Sequence, residues 1–189
     1  MHTNEAKVTI LNAVIELIKQ KPLNKLSIRE IAGKAGMNSA AISYYFGSKE
    51  ILYNETMKYY WSSLCFIYER IKKEEMLSVE KVHAYCKEIM YFYIRSVGIL
   101  RSEQSNFMEQ GVDSETRQRI EMQLEALSYI ILSLKPQTSK EEMMVKIVRF
   151  ISSLAHPVLF IESFETLALK GVTMDNFLDD YIRDIITNI

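Results

Sequence analysis

The sequence predicts an all-α protein of about nine helices, with a three-helix N-terminal domain over residues 1–47 and a larger helical bundle over residues 48–189. Three prolines and six glycines in 189 residues leave few points at which a helix must end. Apolar residues recur at spacings of three and four, as in helices, and no run alternates as a strand does. With 48% apolar residues, the chain is long enough to bury a substantial core.

The first predicted helix runs from about Asn4 to Lys21. Val8, Leu11 and Ile15 fall on one of its faces, which we expect to pack inward. Pro22 ends this helix, because the proline ring removes a backbone N–H and clashes with the preceding turn. We expect the helix to support the two short helices that follow.

The second helix has start and stop signals at both ends. Ser27 and Glu30 form a capping box, in which the serine hydroxyl and the glutamate carboxylate each bind a backbone N–H of the first turn. The helix therefore begins at Ile28. Gly36 ends it, since glycine adopts the left-handed conformation just past a helix.

A third short helix follows the glycine turn. Asn38 is its N-cap, Ile42 is its apolar anchor, and Phe46 closes the small core. Small side chains let a helix lie deep in a groove about 12 Å wide, the width of the DNA major groove. The small residues of this helix are Ser39, Ala40, Ala41 and Ser43.

Two short capped helices joined by a glycine turn are typical of a helix-turn-helix DNA-binding domain. Over roughly residues 6–55, the chain resembles the N-terminal domain of the TetR family of bacterial transcriptional regulators. Ser43 stands where the family often has tyrosine, and Tyr45 stands where it has histidine. The matching positions are Ser27, Ile31, Ala32, Ala35, Gly36, Met37, Ala40, Ala41, Ile42, Tyr44, Phe46, Ser48, Lys49, Glu50 and Leu52.

The resemblance implies binding to double-stranded DNA. We expect Arg29 and the front of the third helix to meet base edges, and hydroxyl and ammonium groups to hold phosphates. The alternative, a purely structural three-helix unit, does not explain small residues occurring together with Tyr44, Tyr45 and Lys49. The predicted DNA-binding residues are Ser27, Arg29, Asn38, Ser39, Ala40, Ser43, Tyr44, Tyr45 and Lys49.

Charge is distributed unevenly along the chain. The formal net charge is −1, but residues 1–50 carry +3 and residues 51–189 carry −4. A basic excess of this size gives one domain only weak electrostatic affinity for DNA. We therefore expect two copies to bind one duplex together.

Longer helices are predicted after the third one, over residues 48–75, 78–101, 113–134, 139–169 and 173–188. The first of these is long enough to leave the N-terminal domain and to connect it mechanically to the second. The helix over 139–169 is apolar around most of its circumference, so one face can serve the monomer and another a partner.

The resemblance implies a homodimer in which the last two helices and their copies form a four-helix bundle. This bundle would space the two DNA-reading helices about 34 Å apart on a palindromic operator. The alternative is a helix buried wholly within the monomer. The predicted interface residues are Phe150, Leu154, Val158, Ile161, Phe177, Tyr181 and Ile185.

The second domain is rich in methionine and aromatic residues, with a few polar ones among them. Such residues can line an apolar pocket for a small, mostly apolar or aromatic effector, although at helical spacing they also form ordinary core. The candidate effector-binding residues are Tyr60, Phe66, Met90, Tyr93, Arg95, Phe107, Met122 and His156.

The sequence gives little indication of a redox pair, a metal site or a membrane span. The two cysteines, Cys65 and Cys86, suit buried positions in a reducing cytoplasm better than a redox pair. The histidines are too dispersed for a metal site, so no metal or cofactor is expected. Arg149, Glu162 and Glu165 interrupt the most apolar stretch, so we expect no membrane span.

The expected function is a ligand-responsive dimeric repressor that a small effector releases from its operator. One alternative keeps the DNA-binding domain but has no small-molecule effector. Another is a helical small-molecule carrier or enzyme. No catalytic constellation with usable spacing supports an enzyme, and an enzyme would leave the helix-turn-helix segment unexplained.

Overall fold

The computed structural model describes residues 2–20, 25–100, 114–160 and 172–189. Within these ranges the chain forms eight longer α-helices, one 3₁₀ turn and a short helical stretch at residues 97–100, and it contains no strand, so the all-α prediction is confirmed. The helices are α1 (His2–Leu17), α2 (Ile28–Ala35), α3 (Ser39–Phe46), α4 (Lys49–Lys73), α5 (Val79–Arg95), α6 (Ser114–Leu134), α7 (Lys140–Ala155) and α8 (Met174–Thr187), and the 3₁₀ turn is Pro157–Phe160.

The chain divides into two compact units. Unit 1 comprises residues 1–63 and 95–111, and unit 2 comprises residues 64–94 and 112–189. The division falls inside α4, so this one helix contributes its first part to unit 1 and the remainder to unit 2.

Unit 1 has a small apolar core. α1 packs on α2, and α2 packs on α3. The residues at the centre of this core are Ile10, Val14, Ile31, Ile42, Phe46 and Leu52, each almost completely buried.

Gly98 allows a close backbone approach within unit 1. A Cβ atom at this position would lie 2.0 Å from the carbonyl oxygen of Ile18, just beyond the end of α1. No side chain fits there without a shift of the backbone. The glycine follows Ser96, at which the helix predicted for residues 78–101 is interrupted. The sequence pattern did not indicate this interruption.

Unit 2 has a larger core and several polar links between helices. Lys87 of α5 lies with its Nζ 2.7 Å from Asp179 and 3.1 Å from Asp175, both on α8. The Tyr91 hydroxyl also donates to Asp175. The core residues include Ile71, Ile89, Leu127, Ile130, Phe150, Leu178 and Ile182.

The predicted continuous helix over 139–169 is wrong at its centre, because α7 ends at Ala155 and a 3₁₀ turn follows. Pro157 has no backbone N–H and cannot donate to Ser153, four residues earlier. The Tyr181 hydroxyl donates to that Ser153 carbonyl instead, at 2.8 Å. A residue of α8 thus satisfies an acceptor that the proline leaves without its helical donor. The rest of the predicted helix lies outside the described residues.

The stretch Lys140–Phe160 is long and apolar enough to cross a membrane by length and composition, with a mean hydropathy of 1.4. A core helix of a soluble protein passes the same test. Its first turn carries Glu141 and Glu142, and Phe150 and Leu154 are buried within unit 2. The stretch is therefore not a clear membrane span.

Candidate nucleic-acid interface

The first helix of the interface, α2, begins at the predicted capping box. The Glu30 N–H donates to Ser27 Oγ at 3.2 Å, and the Ser27 N–H donates to Glu30 Oε2 at 2.8 Å. The Ser27 hydroxyl also donates to Glu30 Oε2, at 2.7 Å. Both functions of this hydroxyl are therefore engaged within the cap.

The turn between α2 and α3 is formed by Gly36, whose φ of 68° lies in the left-handed region. Glycine adopts this conformation without the steric cost that a Cβ atom brings. The following residue, Met37, donates its N–H to the Ala32 carbonyl at 2.9 Å and closes the turn. This geometry fixes the direction in which α3 leaves the turn.

The second helix of the candidate interface, α3, is capped and anchored as its sequence predicts. The Ala41 N–H donates to Asn38 Oδ1 at 2.8 Å, which satisfies one free donor at the helix start. Ile42 and Phe46 are buried beneath the helix, and the Lys7 ammonium lies 5.5 Å from the centre of the Phe46 ring. The opposite face of α3 is open.

That open face is formed by four residues at helical spacing, Ser39, Ala40, Ser43 and Tyr44, all of which are exposed. Tyr44 is 81% exposed, so its ring is available for contact with a partner. Its ring meets that of half-buried Tyr45 edge to face, with 5.0 Å between the ring centres. We name these four residues the reading face.

The nine predicted DNA-binding residues all lie on α2, on α3 or directly beside them. Ser27, Arg29 and Asn38 are exposed, in addition to the reading face, whereas Tyr45 and Lys49 are half-buried. Lys25, just before α2, is a further exposed basic residue beside this surface. Sequence reasoning missed this lysine because it lies outside both helices and matches no motif position.

The sequence of this segment matches the profile of a known family. Residues 10–56 match the family described as "Bacterial regulatory proteins, tetR family", and this range covers α2, the glycine turn and α3. Over this segment the chain is similar to the TetR family. The resemblance inferred from the sequence is thereby confirmed. The matched family consists of regulatory proteins, which supports the expectation that the chain is not an enzyme.

One curated relative of this chain is the HTH-type transcriptional dual regulator CecR from Shigella flexneri. The two proteins are 47% identical over 49 residues, which is 26% of this chain. The match covers 22% of the length of the relative. The similarity is therefore one of a single segment.

Solved structures extend the likeness to the whole fold. A tetR-family transcriptional regulator from Streptomyces coelicolor has a TM-score of 0.65 at 14% identity, covering 96% of this chain and 79% of its own. A TetR-family protein from Mesorhizobium loti has a TM-score of 0.66 at 15% identity, covering 100% of this chain and 96% of its own. At such identities the likeness concerns the fold alone.

The candidate effector-binding residues are distributed over both units. Met90 and Tyr93 lie one turn apart on α5 and are buried in unit 2, where Met122 is half-buried. Tyr60 is buried in unit 1. Phe66 is 61% exposed, Arg95 and His156 are also exposed, and Phe107 lies outside the described residues.

A polar cluster adjoins the first of these groups. The Tyr68 and Tyr93 hydroxyls are 3.2 Å apart, and Gln123 Nε2 donates to them at 2.9 Å and 3.3 Å respectively. These three side chains come from α4, α5 and α6, in the interior of unit 2. Sequence reasoning singled out only Tyr93, because nothing local indicates that residues 25 and 55 positions apart will meet.

The predicted dimer residues are mostly inside the chain's own core. Phe150, Leu154, Val158 and Ile185 are buried in unit 2. Phe177 and Tyr181 are half-buried, with rings stacked at 5.6 Å, and Ile161 lies outside the described residues. The exposed apolar side chains of α7 are a different set, namely Met144, Val145 and Val148.

A cleft between α7 and α8 has a volume of about 180 Å³ and is lined by Lys146, Arg149, Tyr181 and Asp184 among others. Sites for drug-sized ligands usually measure about 300 to 1,000 Å³. We therefore do not assign the effector to this cleft.

Both cysteines are poor nucleophiles in this structure. Burial raises the pKa of the Cys86 thiol to about 12. Burial also raises the pKa of Cys65, against a smaller opposing effect of Arg119. Because the thiolate is the reactive form, neither thiol is activated near neutral pH.

Proposed function

We propose that the chain is a DNA-binding transcriptional regulator of the cytoplasm. The single observation that supports this function is the reading face. It presents small side chains and a largely exposed tyrosine on a helix that Ile42 and Phe46 anchor from the opposite side. A helix held in this way can enter the major groove without losing its own packing.

The proposal is tested by selecting bound duplexes from a random DNA pool. We expect enrichment of a palindrome whose half-sites are centred about 10 base pairs, or a multiple of that, apart. Tyr44→Ala should weaken binding of the selected duplex, because it removes the most exposed side chain of the reading face. If no sequence is enriched over the starting pool, specific DNA binding is refuted.

We further propose that the chain acts as a homodimer through the exposed apolar side chains of α7. Met144, Val145 and Val148 are each more than half exposed and lie within two helical turns. Neighbouring exposed apolar residues of this kind mark interaction surfaces. Phe150 and Leu154 are buried and would hold α7 to the core of its own chain. They have almost no exposed surface that a dimer contact could bury.

Sedimentation equilibrium tests this assignment. Val145→Glu and Val148→Glu should shift the protein to the monomer mass, because each places a charge inside the apolar interface. Leu132→Glu is the matched control, since Leu132 is a 40% exposed apolar residue of α6. A wild-type protein that stays monomeric at every concentration would refute the dimer.

The regulator is proposed to respond to a small, mostly apolar or aromatic effector bound in unit 2. Tyr93 and Gln123 supply polar groups in unit 2, where Met90 is buried and Met122 is half-buried, and such a combination suits a ligand with one hydrogen-bonding group. The effector must bind the DNA-incompetent state more tightly than the DNA-bound state, since only differential affinity shifts the equilibrium. We infer that α4, which is common to both units, transmits the change.

We propose that the DNA-bound dimer represses transcription and that the effector relieves repression. The relative from Shigella flexneri is named a dual regulator, so a reporter assay must be read in both directions. Effector candidates are screened by thermal shift, because a ligand of the folded state raises the unfolding temperature. A regulator without an effector would show no shift with any compound and constant reporter output.

A further inference from the structure

We propose that α3 reads its half-site through the 5-methyl groups of thymine, with Ala40 as the residue that determines this specificity. The inference rests on the proposed DNA-binding function and specifies its partner. Some side chains of α3 are exposed on the reading face, and others are already hydrogen-bonded within the helix.

No charged side chain is available on α3. Residues 38–46 contain no Arg, Lys, Asp, Glu or Gln. Arginine and lysine are the usual readers of guanine, and aspartate and glutamate accept from cytosine. The recognition helix therefore has none of the charged groups that distinguish a G·C pair by direct hydrogen bonding.

Adenine is normally read by the amide of Asn or Gln, which uses its oxygen and its nitrogen together. Asn38 is the one amide of this segment, and its Oδ1 accepts the Ala41 N–H at 2.8 Å as the helix cap. The cap holds the oxygen at the helix start. Asn38 is thus oriented for helix initiation rather than for bidentate pairing with adenine.

The Ser43 hydroxyl is also turned toward the helix, since it donates to the Ser39 carbonyl at 3.4 Å. The reading face then offers the Ala40 methyl group, the Ser39 hydroxyl and the Tyr44 ring at its front. Apolar contact with the thymine methyl is the direct readout that such a surface performs, because a hydroxyl pairs with several bases. Ala40 lies in the first turn of α3, where a recognition helix meets base edges.

The experiment uses the full-length protein and a duplex selected as described above. Each thymine is replaced in turn by deoxyuridine, which keeps the base pair and removes only the methyl group. We expect an affinity loss of about fourfold at one or two positions per half-site, the value for one buried methyl-sized group. The other thymines should give a ratio near one.

Ala40→Gly should abolish that loss, so that the variant binds the thymine and uridine duplexes equally. Ala84→Gly is the matched control, because Ala84 is also an exposed helical alanine but lies on α5. The control should keep the fourfold ratio. If Ala40→Gly fails to fold, Ala40→Ser tests the same contact and should reduce the ratio.

The outcomes separate the two proposals. A selected duplex that binds tightly and shows no methyl dependence at any position overturns the thymine readout while leaving DNA binding intact. A methyl dependence that persists in folded Ala40→Gly and Ala40→Ser assigns the contact to another residue and overturns the role of Ala40. Failure to select any duplex concerns the proposed function instead.

Discussion

The hydrogen bonds inside unit 1 differ from those inside unit 2 in how far apart their partners lie along the chain. In unit 1, the side-chain bonds that cap the starts of α2 and α3 join residues three positions apart, as between Ser27 and Glu30. In unit 2, side chains reach backbone carbonyls far along the chain, as Tyr129 does with Glu74 and Tyr181 with Ser153. Because the local bonds join near neighbours, the starts of α2 and α3 can be predicted from the sequence. The distant bonds of unit 2 are visible only in the structure.

The largest effect is expected for Gly98→Ala, which would disrupt a contact inside unit 1 between residues far apart along the chain. Its Cβ atom would lie 2.0 Å from the Ile18 carbonyl oxygen, so the backbone must move. We expect the free energy of unfolding to fall by about 3 kcal/mol, the upper range for forced overpacking. Chemical denaturation followed by circular dichroism measures the change.

Gly33→Ala is the control for this substitution. Gly33 is exposed in α2, and nothing lies within 4 Å of the position of its Cβ. Alanine should therefore stabilise the protein by about 0.5 to 1 kcal/mol, through helix propensity alone. If the two alanine variants change stability equally, the close approach at Gly98 is not a constraint.

The second test concerns the distant bond at the proline break of unit 2. Tyr181→Phe removes the hydroxyl that donates to the Ser153 carbonyl at 2.8 Å. Since Pro157 has no N–H to offer that carbonyl, we expect a loss of about 1.5 kcal/mol in the free energy of unfolding. Tyr44→Phe removes a hydroxyl from an 81% exposed ring and should leave stability unchanged.

Equal stabilities of Tyr181→Phe and the wild type would show that solvent replaces the tyrosine at Ser153. The bond would then be a consequence of packing rather than a support for the break.

The third test addresses a local cap of unit 1. Asn38→Ala removes the acceptor for the Ala41 N–H and should destabilise the protein by about 1 kcal/mol. Asn38→Asp keeps an acceptor oxygen at the same place and should unfold as the wild type does. Aspartate nevertheless adds a negative charge at the DNA surface, so its affinity for the selected duplex should fall.

This pair of variants separates the cap from DNA contact. Loss of stability in both would mean that the Asn38 amide nitrogen supports the fold. Unchanged affinity of the aspartate variant would place Asn38 away from the duplex.

Features set by local contacts can be predicted from the sequence, whereas features set by distant contacts cannot. The ends of α2, α3 and α8 were predicted because Ser27, Asn38 and Thr173 cap their own helices. The break before Pro157 was missed, because a proline after a long apolar run can also sit at a kink. The proline alone does not reveal that Tyr181 will satisfy the carbonyl left behind.

The candidate sites show the same division. All nine predicted DNA-binding residues lie on or beside two adjacent helices, because the motif specifies a whole local structure. The predicted effector and dimer residues were chosen by residue type, and type does not determine which face of a helix is buried. Val148 and Phe150 are both apolar residues of α7, yet Val148 is exposed and Phe150 is buried.

The smallest expected effect concerns the exposed ion pairs between α5 and α8. The Tyr91 hydroxyl and then the Lys87 ammonium, 3.1 Å away, lower the pKa of Asp175 from its ordinary value of 3.8. A carboxyl group whose pKa is lowered by folding stabilises the protein above its unfolded pKa. That stabilisation is lost as the pH falls through the lowered folded pKa.

Asp175→Asn should therefore be less stable than the wild type near neutral pH, and the difference should diminish as the pH falls below the ordinary value of 3.8 and through the lowered folded pKa. Urea denaturation at a series of pH values measures this difference. Asp180→Asn is the matched control, since it removes the same charge from α8 at a residue that pairs with Arg183 of its own helix. The Asp175 side chain is 63% exposed, so solvent screens its interactions and the effect is small. A pH dependence no greater than that of the control would mean that the contacts of Asp175 with Tyr91 and Lys87 follow the packing of α5 on α8 rather than stabilise it.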